Sequence, residues 1–206
     1  MLDPTPIPDS ARRGTDSLLF ERMAAGDQTA LDTLLDCYWS QLVAYAGGLT
    51  GSWDSAQDLT QEAFVRLWER RESWDPKGSV QALLYRIVRN LALDLQKSRE
   101  REEARARRVA ETAPAPTPLD VTASREFEEA FGEAVKLLSP RRREVYELVR
   151  VEGLSYREVG EMLEISTQTV ANHLTAAVSF LRDQLSVHLM PDGAAGIDRV
   201  QGSGGG

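Results

Sequence analysis

Gly153 to Leu181 reads "GLSYREVGEMLEISTQTVANHLTAAVSFL". Its spacing predicts two helices around a tight turn. Ser155 and Glu158 stand at capping-box spacing, which starts a short helix at the tyrosine between them. A turn follows at Glu164-Ile165-Ser166. In the next helix Val170, Leu174, Ala177 and Leu181 fall at i, i+4, i+7 and i+11, the pattern of a buried stripe. At about 100° per residue, Gln168, Asn172, Thr175 and Ser179 lie on the opposite face. Short polar side chains of this kind hydrogen-bond base edges in a major groove, and the short helix, turn and long helix together make a helix-turn-helix. Thr167 and Thr169 sit where free backbone N–H groups gather, and can donate to phosphate or cap the helix. His173 lies beside the apolar stripe, placed to pack or to touch one phosphate, not to catalyse or to bind metal.

The stretch from Glu164 to Leu181 contains no lysine or arginine, and the chain carries a formal charge of -8. Non-specific DNA affinity comes mostly from Lys and Arg displacing counterions, so a tight, free-standing DNA binder is not expected. The nearby basic residues stand outside the helix, at Arg141, Arg142, Arg143 and Arg157. They can flank the groove and grip the backbone, or solvate a surface.

Working outward, the 206 residues suit one or two small domains. No apolar run approaches the roughly 20 residues that span a bilayer, and the start lacks the apolar core of a signal peptide. The one cysteine, Cys37, cannot form an internal disulfide, which suits a reducing cytoplasm. No metal-spaced Cys/His cluster, phosphate loop or nucleophile elbow is present, so no catalytic residue, metal or cofactor is expected. No strand-like alternation of useful length appears. The expectation is an all-α protein of two small helical domains, at 16–108 and 124–189, with a flexible linker at 109–123 and a disordered tail at 190–206. The linker segment "AETAPAPTPLDVT" holds Pro114, Pro116 and Pro118, which favour extended backbone.

Four helices are expected in the first block. The first opens at Asp16 and ends near Gly26. The second spans 27–49 and is weakened by Gly47 and Gly48. The third is "DSAQDLTQEAFVRLWERRES" and the fourth "SVQALLYRIVRNLALDLQKSRERE". On the third, Ala56, Leu59, Ala63, Phe64 and Leu67 point inward. Asp58, Gln61, Glu62 and Val65 share another face, and an aliphatic residue among acids and an amide there signals an interface. On the fourth, Leu84, Ile87, Val88, Leu91 and Leu95 form the buried stripe, with Arg86, Arg89, Asn90 and Lys97 opposite, a composition suited to phosphate or single-strand contact. In the second block Ser139 caps a helix that has Pro140 at its first position and Gly153 as its stop.

The order "DLTQEAFVRLW", "LLYRIVRNLALDLQKSRERE", linker, "LLSPRRREVYELVRVEGLSYREVGEMLEISTQTVANHL" resembles bacterial RNA polymerase sigma factors, and the lack of a middle domain points to the extracytoplasmic-function (ECF) group. The resemblance covers about Leu18 to Leu185. It implies a four-helix region 2 domain that binds core polymerase and captures the −10 element, and a helix-turn-helix region 4 domain that reads the −35 element. Asp58, Gln61, Glu62 and Val65 would meet the clamp coiled coil of the largest polymerase subunit. Arg86, Arg89, Asn90 and Lys97 would face the −10 element, with Asn90 at the position of an asparagine that helps hold a flipped base. Trp74, in the loop before that helix, is placed to stack on a base or on its own core. Ala171, Asn172 and Thr175 match the usual base-contacting positions of the reading helix, with Gln168 beside them. The partners implied are core RNA polymerase, through its clamp and flap regions, promoter DNA, and an anti-sigma factor that restrains activity.

Two departures stand out. Many relatives carry an aromatic where this chain has Leu83, and arginines where it has Ala171, His173 and Ala176. The second predicts a weaker −35 contact, tolerable if polymerase tethers both domains to one duplex. Two other classes are a LuxR-like helix-turn-helix regulator, which would lack the first block, and a polymerase-binding adaptor that reads no promoter.

Overall fold

The computed structural model describes residues 9–73, 79–106 and 126–189, which fold into helices and turns with no strand among them. Trp74, the 109–123 linker and the tail lie outside the described residues.

Four helices build the first domain: α1 (Asp9–Ala24), α2 (Gln28–Thr50), α3 (Trp53–Glu69) and α4 (Val80–Ala106). Helix α1 begins earlier than the sequence suggested. Asp16 is not its start but a buried residue within it, where its carboxylate accepts the hydroxyl of the buried Tyr38 on α2. That bond explains why an acid survives in the core. Asp27 caps α2 by accepting from the Thr29 backbone at 2.9 Å. The Thr29 hydroxyl and then Arg22 hold its carboxyl below the usual carboxylate range.

Helix α2 runs through Gly47 and Gly48, as the expected span of 27–49 does. A glycine costs an exposed helix about 1 kcal/mol, but packing overrides so small a preference. Gly47 lies against α3, where a Cβ would sit 3.9 Å from the Ala56 side chain, and its carbonyl accepts the Gly51 N–H at 2.9 Å. The stop is Gly51, left-handed at φ 65°. Leu34, Leu42, Leu67, Leu84 and Val88 fill the centre of this bundle.

The second domain comprises α5 (Glu126–Leu137), α6 (Pro140–Tyr146), a π-helical turn (Glu147–Val151), α7 (Tyr156–Leu163) and α8 (Thr167–Leu189). Ser139 stands before Pro140 as expected but makes no side-chain cap bond. Arg143 serves the adjoining helix end instead, donating to the carbonyls of Val135, Lys136 and Leu138 at the close of α5. Gly153 ends the segment at φ 73°. The capping box at Ser155 and Glu158 is formed on both sides.

The two domains pack against each other. Val145, Leu148, Leu154, Val159, Met162, Leu163, Val170 and Leu174 belong to one continuous apolar core with the first bundle. A smaller cluster, Ala134, Leu138, Ala177 and Leu181, fixes α5 on α8.

Candidate nucleic-acid and polymerase interface

The reading helix is built as its periodicity predicts. Val170, Leu174, Ala177 and Leu181 are buried, while Gln168, Asn172, Thr175 and Ser179 are exposed. Ser166 caps it, accepting from the Thr169 N–H at 3.0 Å and meeting the Thr169 hydroxyl at 2.8 Å. Thr167 is exposed, and Ala171 and His173 are half-buried at the flank of the polar face. Gln168 donates to the Asn172 carbonyl oxygen at 3.1 Å, so two amides on the reading face are already oriented by each other.

The turn before it needs two special residues. Glu164 adopts the left-handed conformation at φ 56°. The Ile165 N–H then closes on the Gly160 carbonyl at 2.9 Å. That approach leaves no room at Gly160, where a Cβ would come within 2.8 Å of the Ile165 oxygen.

The four basic residues outside the reading helix divide. Arg142 is exposed, and Arg157 is exposed with an ion pair to Glu161 at 3.1 Å. Arg143 is occupied at the end of α5. Arg141 spans from Glu144 to the Leu163 carbonyl at 2.7 Å, tying α6 to the end of α7. Two of the four therefore hold the domain together.

In the first domain Asp58, Gln61, Glu62 and Val65 are all exposed along α3, with Glu62 paired to Arg66 at 2.8 Å. Ala56, Ala63, Phe64 and Leu67 are buried below them, Leu59 is half-buried, and Thr60 is buried with its hydroxyl donating to the Ala56 carbonyl. Beside this face runs a largely apolar groove of about 440 Å³ between α2 and α3. Leu31, Leu35, Trp39, Phe64, Val65 and Trp68 line it, with Gln61 at its rim. The sequence reading placed Val65 at an interface but did not find the groove, because its walls come from two helices.

On α4, Arg86, Asn90 and Lys97 are exposed, and Lys97 lies 3.7 Å from Asp94. Arg89 is not on the open face. Its guanidinium donates to Glu144 of α6 at 2.7 Å, and the two side chains keep only 15% and 12% exposure. Around this pair Tyr45 meets Glu144 at 3.4 Å, Tyr85 donates its hydroxyl to Glu152, and Gln81 donates to the Glu152 carbonyl at 2.7 Å. Burial, with the charge of Glu144 beside one ring and Glu152 beside the other, drives the pKa of both tyrosines well above the phenolic range. Both hydroxyls therefore stay neutral donors. Leu83, the first of the two departures, is buried in the core.

The π turn makes this contact possible. In an uninterrupted α-helix Glu144 and Glu152 would point about 80° apart. The π turn takes up one extra residue, bringing the two carboxylates to within about 20° of one face. The Glu152 N–H accordingly bonds to the Glu147 carbonyl, five residues back, at 3.0 Å.

An all-helical pair of domains, one with an exposed acid-amide face and one with an exposed helix-turn-helix reader, defines a DNA-reading protein built to dock on a larger machine. Comparison with known proteins identifies the machine. Residues 34–102 match the model of sigma-70 region 2, and residues 128–181 match that of sigma-70 region 4. The chain is 32% identical over 171 residues to the ECF RNA polymerase sigma factor SigE of Mycolicibacterium smegmatis, covering 80% of this chain and 66% of that one. It is 27% identical to SigW of Bacillus subtilis, covering 80% and 94%. It is 33% identical to EcfG of Rhodopseudomonas palustris, covering 74% and 81%. The fold is shared with the sigma factor RpoE in complex with the anti-sigma factor NepR from Bartonella quintana, at a TM-score of 0.59 and 24% identity over 76% of this chain and 96% of that one. It is shared equally with CnrH in complex with the cytosolic domain of CnrY, at 0.59 and 23% over 84% and 98%. The chain belongs to the ECF group of RNA polymerase sigma factors, initiation factors that direct the polymerase to promoters. Among the described residues no helix is long and apolar enough to cross a membrane.

Proposed function

We propose that Asp58, Gln61, Glu62 and Val65 form the docking face for the polymerase clamp, with the α2–α3 groove beside them taking apolar side chains of the same partner. The observation that carries this is the exposure of all four residues on one helix face beside that groove. Arg86, Asn90 and Lys97 are the −10 contacts available on an open surface, with Arg89 and Trp74 completing the set. Gln168, Asn172, Thr175 and Ala171 read the −35 element, and Thr167, Thr169, Arg142 and Arg157 hold its phosphates. In this reading region 2 spans 16–108 and region 4 spans 124–189. The chain makes and breaks no bond itself; it acts in the cytoplasm by positioning polymerase, and an anti-sigma factor restrains it.

The test is transcription in vitro with bacterial core polymerase and a genomic promoter library, core alone serving as control. Discrete start sites that require this chain are the expected result. Polymerase binding without new starts would favour an adaptor instead, and no polymerase binding would favour a conventional regulator.

A further inference from the structure

We propose that Gln168 and Asn172 act as one reading unit: Asn172 takes an adenine edge, and Gln168, a positioning residue, fixes which way round its amide faces the base. The inference deepens the −35 reading of α8 and rests on it.

Both side chains are exposed, four residues apart, and so lie within about 40° of each other around the helix. Thr175 and Ser179 share the face, but a hydroxyl turns to donate or to accept as its partner requires. An amide carries its donor and its acceptor on separate corners. Half a turn about its last bond exchanges the two. It therefore tells one base from another only if something holds the corners in one order.

Gln168 supplies that hold. Its Nε2 donates to Asn172 Oδ1 at 3.1 Å, a bond that the NH2 corner of Asn172 could not accept. One lone pair of Oδ1 is thus taken, while the other lone pair and both N–H donors of Asn172 stay available. Adenine presents the matching set in the major groove, an N6 amine that donates beside an N7 that accepts. Guanine offers two acceptors there, cytosine only a donor and thymine only an acceptor. No lysine or arginine stands between Glu164 and Leu181, so no longer donor on this stretch competes for the same edge.

The experiment selects promoter duplexes, randomised over the upstream element, with the full chain on core polymerase. It reads the ratio of adenine to the other bases at each position, from which a uniform charge penalty cancels. Wild type should prefer adenine at one position by about tenfold, and 7-deazaadenine or purine there, lacking N7 or the N6 amine, should each lose most of that gain. Asn172→Ala should abolish the preference. Q168A, which frees the amide to turn, should reduce it at the same position. Q168A/N172A should lose no more than N172A alone, the signature of coupled neighbours. Q168E keeps the side-chain length but replaces the donor with a carboxylate. That group accepts from the Asn172 NH2 and turns the amide round, so the adenine preference should vanish. Unchanged polymerase binding shows that each variant is folded.

Losses in Q168A and N172A that fall at different positions and add would make Gln168 an independent reader and overturn the unit. So would an adenine preference retained in Q168E. A wild-type chain that starts transcripts but selects nothing upstream would sink the −35 reading itself, and the unit with it.

Discussion

Glu147 shows how single groups set the energetics of region 4. Burial raises its pKa above the ordinary glutamate value, and Glu144 and Glu152 add to this while Arg143 opposes it. A carboxyl with a raised folded pKa favours the native state when protonated, and that advantage is lost as pH rises through the folded pKa. At neutral pH the ionised Glu147 is therefore a net cost. Glu147→Gln should raise the melting temperature at pH 7.5, and the gain should shrink towards zero by about pH 3, well below the ordinary glutamate pKa of about 4.3, where wild type is protonated in both states. A gain that grows on acidification would contradict the assignment. Gly160 and Glu164 make a second pair of residue-scale predictions. Gly160→Ala forces a Cβ against a backbone oxygen and should cost region 4 roughly 1–3 kcal/mol. Glu164→Gly removes a left-handed non-glycine residue and should stabilise by ~0.5–1 kcal/mol in a denaturant melt.

Under the proposed reading the helices divide the work, and the division is measurable. Asp58→Ala with Glu62→Ala strips the two acids from the exposed face of α3, and should weaken core polymerase binding about tenfold or more if they act as interface hot spots. Asn172→Ala, on α8, should change the −35 preference while leaving polymerase affinity within twofold or so, because distant sites act independently. Pull-down against core polymerase and start-site mapping separate the two; equal loss of polymerase binding would contradict the division. Much at this scale was legible in sequence. The Ser155–Glu158 box, the Gly153 stop and the two-faced pattern of α8 are local, and local rules find them. The passage of α2 through Gly47 and Gly48 was legible too; the approach of Gly47 to Ala56 that offsets their cost was not, because Ala56 stands on another helix. The roles of Arg141 and Arg143 were missed for a similar reason: an arginine that serves a distant carbonyl has the same spacing as one that serves a phosphate.

At the scale of the whole molecule the sequence reading found two domains but not their embrace. Tyr85 and Glu152 lie 67 residues apart, and Arg89 and Glu144 lie 55 apart. No periodicity on either segment announces such a pair. Periodicity placed Arg89 opposite the buried stripe, and it is opposite; what covers it comes from the other domain. The acidic balance of the chain and the uncharged reading face together predict that isolated protein binds promoter duplex weakly, with little salt dependence from Gln168, Asn172, Thr175 and Ser179 themselves. Each phosphate contact contributes about one unit to the slope of log affinity against log salt, so Arg142→Ala and Arg157→Ala should each lower that slope for the polymerase complex by about 1.

The reading face has one more property. Gln168 and Asn172 bond to each other, and the face as a whole stands clear of the core and of the seam between the domains. Its side chains carry no charge. Neither the fold nor the phosphate grip depends on which amides or hydroxyls stand there. Under the proposed reading, promoter choice is an interchangeable part: swapping a few neutral side chains on this face should retune which genes are switched on and leave stability and the place on the polymerase unchanged.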